Sequence, residues 1–446
     1  MDELSLLKDA DARARAYVAQ NETRRVTPTT TALTALQAFD EPLPVTGHPA
    51  QETIALLDDV GSPGTVASNG PNYFGFVIGA TLPAAAAAER IALAWDQSAS
   101  GPIGGPSAAA IETRAAHWLL EILDLPRDAA VAFGTSATAC GLSCLATARA
   151  YLLEQQGWDV ATLGLSGAPD IRVIVSDTVH VTVKKALRIL GFGLSLVQVV
   201  ETDEFGRIDP DKLPELDDRT ILCLQAGEVN TGEFDLFSEI IPRAKAAGCW
   251  VHVDGAFGLW ARASNARHHL TCGIDGADSW TTDGHKWLNT PYDGAVAICR
   301  HRAALSRMMS SDAAYAPATA DAQNNLTLEF SRRARGIPIW AALRSLGREG
   351  VDQLVTDHCD LAQYIGAKLS NEGFEVLNRV VLNQVLVRCS DDAKTQTVLD
   401  HAQASGKVWF GPTRWQGRLA FRISVSSWRT KKHHVDQLVE TMLGAF

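Results

Sequence analysis

Apolar positions change their spacing along the chain, and each spacing predicts an element. Near the start, Leu4, Leu7, Ala10, Ala14 and Tyr17 recur three and four residues apart, which is one face of an amphipathic helix. Prolines and glycines then punctuate an arm over 42–83. The alanine run after Pro83 opens a second helix through Trp95, with proline where a helix start tolerates it. A glycine- and proline-rich loop at 101–106 leads into a helix over 108–123. From 129 to 300, apolar runs at 129–133, 171–175, 194–200, 220–224, 250–253, 279–282 and 294–299 alternate with helix-like stretches at 141–154, 181–190 and 236–247. Alternating strand and helix predicts an α/β unit with a mostly parallel sheet. Ligands of such sheets sit outside the carboxyl ends of the strands, so the residues just past each run are the ones to read for chemistry. Beyond 330, helices over 339–346 and 351–369 and strand-like runs at 384–388 and 421–427 predict a second, α+β unit.

Composition narrows the class. Hydrophobic residues make up 46% of the 446 positions and charged residues 20%, enough for a large core and too little charge for a disordered chain. A formal charge of −11 leaves no basic face to neutralise a nucleic acid. The densest basic stretches, Arg332-Arg333-Ala334-Arg335 and Lys431-Lys432-His433-His434, read as solvated faces or anion-pairing loops. Eight cysteines without a Cys-x-x-Cys pair are expected as buried, reduced thiols. The first residues lack the basic and apolar regions of a signal peptide. The longest uncharged stretch, 60–88, is broken by Pro63, Pro71 and Pro83 and makes a poor membrane helix. The expectation is a cytoplasmic protein without membrane or nucleic-acid partners.

Four strand ends carry chemistry. The run Trp250-Val251-His252-Val253-Asp254-Gly255-Ala256 ends at an acid, and Asp283-Gly284-His285-Lys286-Trp287 ends at a lysine flanked by apolar residues. Partial burial of that lysine would lower its pKa and make it a better nucleophile. Thr135-Ser136-Ala137-Thr138 follows a strand and precedes a helix, where backbone amides and hydroxyls make an anion cradle. His180 lies just past another strand. Taken singly, each is also what a helix cap, a surface lysine or a small-residue turn looks like. Together they match the needs of pyridoxal 5'-phosphate: a cradle for its phosphate, an amine for its aldehyde, a carboxylate for its pyridine nitrogen.

The sequence resembles the group II pyridoxal-phosphate-dependent decarboxylases, the glutamate, aromatic-amino-acid and histidine decarboxylase family, and bacterial members in particular. The resemblance runs from Asn72-Tyr73-Phe74-Gly75-Phe76 to Arg422-Ile423-Ser424 and includes the segment from Ala226 to Asp235. It implies an α/β fold of the type I pyridoxal-phosphate transferase-like architecture: a large domain with a mostly parallel seven-stranded sheet and a smaller C-terminal α+β domain. The units expected are 1–83 (helical segment and arm), 84–328 (cofactor-binding domain) and 329–446 (small domain). Also implied is a homodimer with active sites at the interface, which the N-terminal amphipathic helix would clasp. In this reading Lys286 forms a Schiff base with the cofactor, Asp254 pairs with the pyridinium, His180 stacks on the ring and Ala256 floors it. Thr135, Ser136, Ala137 and His285 hold the phosphate, with Asp283 close by. No metal is implied.

The implied reaction is decarboxylation of an L-amino acid to the amine and carbon dioxide through a carbanion. Arg422 and Arg335 are candidate carboxylate anchors, and Tyr73, Phe74 and Phe76 candidate linings of an apolar pocket. Two departures bear on the outcome. The family's mobile loop carries a tyrosine, whereas 316–327 holds none and Tyr315 lies just before it. Glu228 replaces a residue that is usually neutral. The alternative is therefore another pyridoxal reaction: transamination, oxidative deamination or carbon–carbon cleavage. From other classes, His252, Asp254 and His285 would have to ligate a metal in a hydrolase, leaving Lys286 and the cradle without a role, or the protein would carry the cofactor without turnover.

Overall fold

The structure is a computed structural model that describes residues 2–310 and 322–446. Seven strands make the large sheet: β1 (Ala130–Gly134), β2 (Arg172–Ser176), β3 (Gln198–Val200), β4 (Thr220–Gln225), β5 (Trp250–Asp254), β6 (Ser279–Asp283) and β7 (Ala295–Cys299). Their spatial order is β1-β7-β6-β5-β4-β2-β3. Neighbours from β6 through β3 run parallel, while β7 is antiparallel to both β6 and β1. Parallel neighbours need crossover helices, and these cover both faces, which is why the strands read as almost continuous apolar runs. Alternation then divides the side chains. Ile174, Leu222, Leu224, Val251 and Val253 enter one core, and Val173, Val175, Ile221, Cys223 and Trp250 the other. The edge strand β3 is shorter than the apolar run at 194–200: only 198–200 pairs, and among the described residues its other edge has no strand partner.

Helix Ala137–Gln155 packs one face, through Cys144, Leu145 and Leu152. The other face is covered by helices Pro106–Ile122 and Phe237–Ala246 and by the first half of helix Gly336–Asn371. The two helices expected over 339–369 form this single run, broken at Gly347 (φ 63, ψ −176). Its Ile339, Ala342 and Leu343 join the large core, and its Ala362, Ile365 and Leu369 join the small one. The small core lies under an antiparallel sheet of β8 (Glu375–Val376), β9 (Gln384–Arg388), β10 (Gly411–Trp415) and β11 (Arg418–Ser424), in the order β10-β11-β9-β8.

The arm is less irregular than its prolines suggest. Pro49 precedes a helix over Ala50–Leu56, a position where its missing N–H costs nothing. Farther on, residues 72–82 thread between the two units. Phe74 N donates to Trp409 O, and Ser424 N to Phe74 O. A Cβ on Gly79 would stand 2.0 Å from the Lys286 carbonyl oxygen, so only glycine lets the arm pass there. Helix Glu3–Ala19 buries none of its residues, and Leu4 and Leu7 on its apolar face are exposed. Among the described residues no helix is long and apolar enough to cross a membrane.

Candidate active site

The candidate cofactor residues Thr135, Ser136, Ala137, His180, Asp254, Ala256, Asp283, His285 and Lys286 all lie at the carboxyl-end rim of the large sheet or on the loops that follow its strands. After five wholly buried residues, β1 gives way to partly exposed Thr135, Ser136, Ala137 and Thr138. Ser136 caps helix Ala137–Gln155, its hydroxyl accepting from Ala139 N. Ala137 N, in the first turn, donates to Asp283 Oδ1 at 2.7 Å. That helix start therefore already holds an anion, as the aligned peptide dipoles favour.

Lys286 lies three residues past β6, early in the loop that leads to β7. Its Nζ is 3.1 Å from Asp283 Oδ2, and its side chain keeps 21% of its exposure, so the amine faces open space beside a buried carboxylate. Trp287 Nε1 donates to His358 Nδ1, which requires His358 Nε2–H to donate to Ser427 O. Asn289 Nδ2 donates to Trp287 O and Ser426 O. Buried bonds thus lock the lysine loop to the long helix and the small unit. His285 Nδ1 lies 2.8 Å from Gly294 O and its Nε2 3.7 Å from Asp283, with the Tyr292 ring tilted against it at 4.2 Å between centroids. Burial pulls the His285 pKa down, so an anion would meet its Nε2 as a donor only when the ring is protonated.

Asp254, last in β5, accepts from Ala256 N and lines a small cavity with Thr182, His252 and Thr281. Ala256 O in turn accepts from Asp283 N, tying the two strand ends together. His180 does two things. Its Nδ1 accepts from Thr182 N, capping helix Val181–Ile189, and its ring senses Asp254, Lys286, Arg422 and Asp283. Burial lowers its pKa, and the lysine and arginine lower it further, so the ring is neutral at pH 7.

Arg422 on β11 belongs to this group. Its guanidinium donates to Val229 O and faces Glu228 and Tyr73. Arg335 is already paired with Asp293 at 3.0 Å. Glu228 is 1% exposed and takes hydrogen bonds from Asn230 N, Thr231 N and Thr231 Oγ1, so it caps its own turn while adding negative charge beside Arg422. Tyr73 is buried and stacks on Trp409 at 5.0 Å, Phe76 is 57% exposed beside the same indole, and Phe74 packs in the small core. Among the described residues no group of three His, Cys, Asp or Glu gathers as metal ligands; His252 faces Ser279 instead. Tyr315 and the loop up to 321 lie outside the described residues, while Gln323, Asn324 and Asn325 beyond them are buried. Tyr292 and Trp409 escaped the sequence reading. Tyr292 follows Lys286 in the same loop, a signal available in hindsight, whereas nothing local marks Trp409.

These residues fit pyridoxal phosphate: an anion-holding helix start, a partly exposed amine, and a carboxylate lining a cavity beside a neutral imidazole. Acid stability follows from the same burial. His252 and His358 are both pushed down to about 4. Between that value and the unfolded value of about 6.5, only the unfolded chain takes up the protons, so stability falls as pH falls through this window. Each is expected to cost on the order of 2 kcal/mol at pH 5 relative to pH 7. Urea midpoints at both pH values check this, and His252→Gln should roughly halve the difference, leaving the part due to His358.

Three comparisons with known proteins bear on the site. Residues 36–390 match the pyridoxal-dependent decarboxylase conserved domain. An aromatic-L-amino-acid decarboxylase of Bacillus atrophaeus is 28% identical, the match covering 74% of this chain and 70% of the relative. A phenylacetaldehyde synthase of Arabidopsis thaliana is 23% identical over 87% and 85%. An Oryza sativa structure solved with PLP and tryptamine superposes with a TM-score of 0.90 at 22% identity, covering 99% of this chain and 96% of that one.

Proposed function

The chain belongs to the pyridoxal-dependent decarboxylases, carboxy-lyases that carry pyridoxal 5'-phosphate, and on that premise we propose that it removes the α-carboxyl group of an L-amino acid with an aromatic side chain, releasing the amine and carbon dioxide. The observation that carries this is the amine of Lys286, partly exposed beside buried Asp283, with Asp254, Arg422 and the neutral ring of His180 around it.

When bound, pyridoxal phosphate supplies an electron sink for the bond to the departing carboxylate. The residues do the rest. Lys286 Nζ would hold the aldehyde, Asp254 would hold a proton on the ring nitrogen, and Ala256 would contact the ring. Thr135, Ser136, Ala137 and His285 would hold the phosphate, with Asp283 alongside. Neutral His180 would stack on the ring and add no charge that would oppose a proton there. Arg422 orients the substrate carboxylate; it is the arginine left to do so, since Arg335 is taken by Asp293. Lys286 Nζ would also be a group placed to hold and return a proton at the substrate Cα. The aromatic cluster of Tyr73, Phe76 and Trp409, joined to this group through Arg422, supports an aromatic side chain, as do the names of the relatives.

A second reading has its own support: the absence of tyrosine from 316–327 and a relative named for an aldehyde product. Product analysis separates the two. The cofactor-loaded protein is given the L-amino acids in turn, and carbon dioxide, amine, aldehyde and keto acid are measured. Equal amounts of amine and carbon dioxide are expected. Aldehyde with carbon dioxide, or keto acid without it, would favour the second reading of a diverted pyridoxal reaction, and turnover of no L-amino acid would count against both.

The protein is proposed to act as a homodimer. Leu4, Leu7, Ile91, Leu93 and Trp95 are exposed on two helices, and a second copy would cover them. Sedimentation at micromolar concentration should give twice the chain mass, and Leu4→Glu with Leu7→Glu should lower it. A monomeric wild type would refute the dimer.

A further inference from the structure

The helix start that would receive the phosphate is not neutral ground. Asp283 is buried at the end of β6, and its carboxylate takes the two features that would draw an anion there. Oδ1 accepts from Ala137 N at 2.7 Å, and Oδ2 faces Lys286 Nζ at 3.1 Å. Its other close neighbour, His285 Nε2 at 3.7 Å, is held towards neutrality by burial. Arg335 is matched by Asp293, and Arg422 is engaged by Val229 O and Glu228.

We infer that Asp283 limits how tightly this site holds the phosphate group of its cofactor, by competing with it for the Ala137 amide and by repelling its charge. The inference rests on the cofactor reading of the site and adds a regulatory property to it. A phosphate monoester carries between one and two negative charges at neutral pH. Bringing it to a helix start beside a buried carboxylate sets like charges a few ångströms apart in a medium that screens them poorly. An asparagine in the same place would keep the acceptor for Ala137 N, keep the volume, remove the charge and add an N–H donor towards the phosphate. With aspartate there, the cofactor is held partly against electrostatic repulsion, so the loaded fraction follows the supply of cofactor in solution. In the cofactor-free protein the same carboxylate caps the helix and steadies the lysine.

The test compares the wild type with Asp283→Asn, both stripped of cofactor. Inorganic phosphate is titrated calorimetrically, and pyridoxal phosphate and pyridoxal by absorbance. Asp283→Asn is expected to bind inorganic phosphate about tenfold more tightly or better, and to bind pyridoxal phosphate more tightly by a similar factor. Pyridoxal, which lacks the phosphate, should gain far less. Equal or weaker phosphate binding by a folded Asp283→Asn overturns the inference and reduces Asp283 to a helix cap, because asparagine caps Ala137 N equally well. Asp283→Ser, which also keeps an acceptor, undergoes the same titrations in case the asparagine variant does not fold. A wild type that takes up no pyridoxal phosphate at Lys286, while the phosphate result stands, would defeat the cofactor reading and leave the competition at the helix start intact.

Discussion

Lys286→Ala is expected to lose covalent attachment of the cofactor and to reduce turnover by about three orders of magnitude or more, the scale on which removing a covalent nucleophile acts. Nζ is the amine that the site presents beside Asp283, His180 and Asp254. Borohydride treatment followed by intact-mass measurement reads the attachment directly. The wild type should gain the mass of one reduced cofactor, and the variant none. Circular dichroism guards against an unfolded variant. The loop does not depend on the lysine side chain for its shape, because Trp287, Asn289 and Gly79 fix its backbone. A variant that still traps the cofactor would move the attachment to another amine and undo the assignment.

The second large effect lies below the site. Glu112 and Arg332 form a four-way contact of 2.9–3.1 Å with both side chains fully buried. Glu112 also accepts from Gly336 N, and Arg332 reaches Gln323, whose amide bonds Val131 and Phe133 of β1. The pair thus ties helix Pro106–Ile122 and the start of helix Gly336–Asn371 to the strand that carries the cradle. Burial drives the Glu112 carboxyl up to about 7 against the pull of Arg332. Arg332→Ala strands that carboxyl in the core and is expected to destabilise the protein by about 3–5 kcal/mol, whereas replacing both partners with apolar residues (Glu112→Met with Arg332→Leu) should recover most of the loss. The pH dependence has a definite sign. A folded value above the unfolded value of about 4.5 means that the native state binds the proton more tightly, so this group's contribution falls as pH rises from 4.5 to 7. Without Arg332 the carboxyl climbs further, and the deficit of Arg332→Ala should be larger at pH 8 than at pH 5. Guanidinium unfolding at both values measures it; a variant within 1 kcal/mol of wild type at pH 8, a bound of about one pKa unit, would show the pair to be dispensable.

Much of the architecture was legible before any coordinates. Helix Pro83–Trp95 and the strands β1, β2 and β4 to β7 fall within a residue or two of the apolar runs that predict them, because helix and strand periods are set by the local backbone. The same holds for Asp283, His285 and Lys286, which share one strand end. The edge strand β3 came out short because only its last residues find a partner in β2. The antiparallel β7 between β1 and β6 is invisible in a local pattern, since strand direction is decided by where the chain returns.

The sequence by itself determined the order of elements, the covered faces of the large sheet, and the strand ends at which a lysine, an aspartate, a histidine and a hydroxyl-rich helix start would appear. Tertiary structure alone decided that Arg422 and Tyr73, from opposite ends of the chain, meet this rim, that Glu228 turns inward to cap its own loop, that Arg335 is claimed by Asp293, and that Asp283 lies on the amide where an anion would bind. The reason is physical. A repeating spacing is imposed residue by residue by backbone geometry, whereas the partner of a buried charge is chosen by whatever packing places within a few ångströms once water has been excluded.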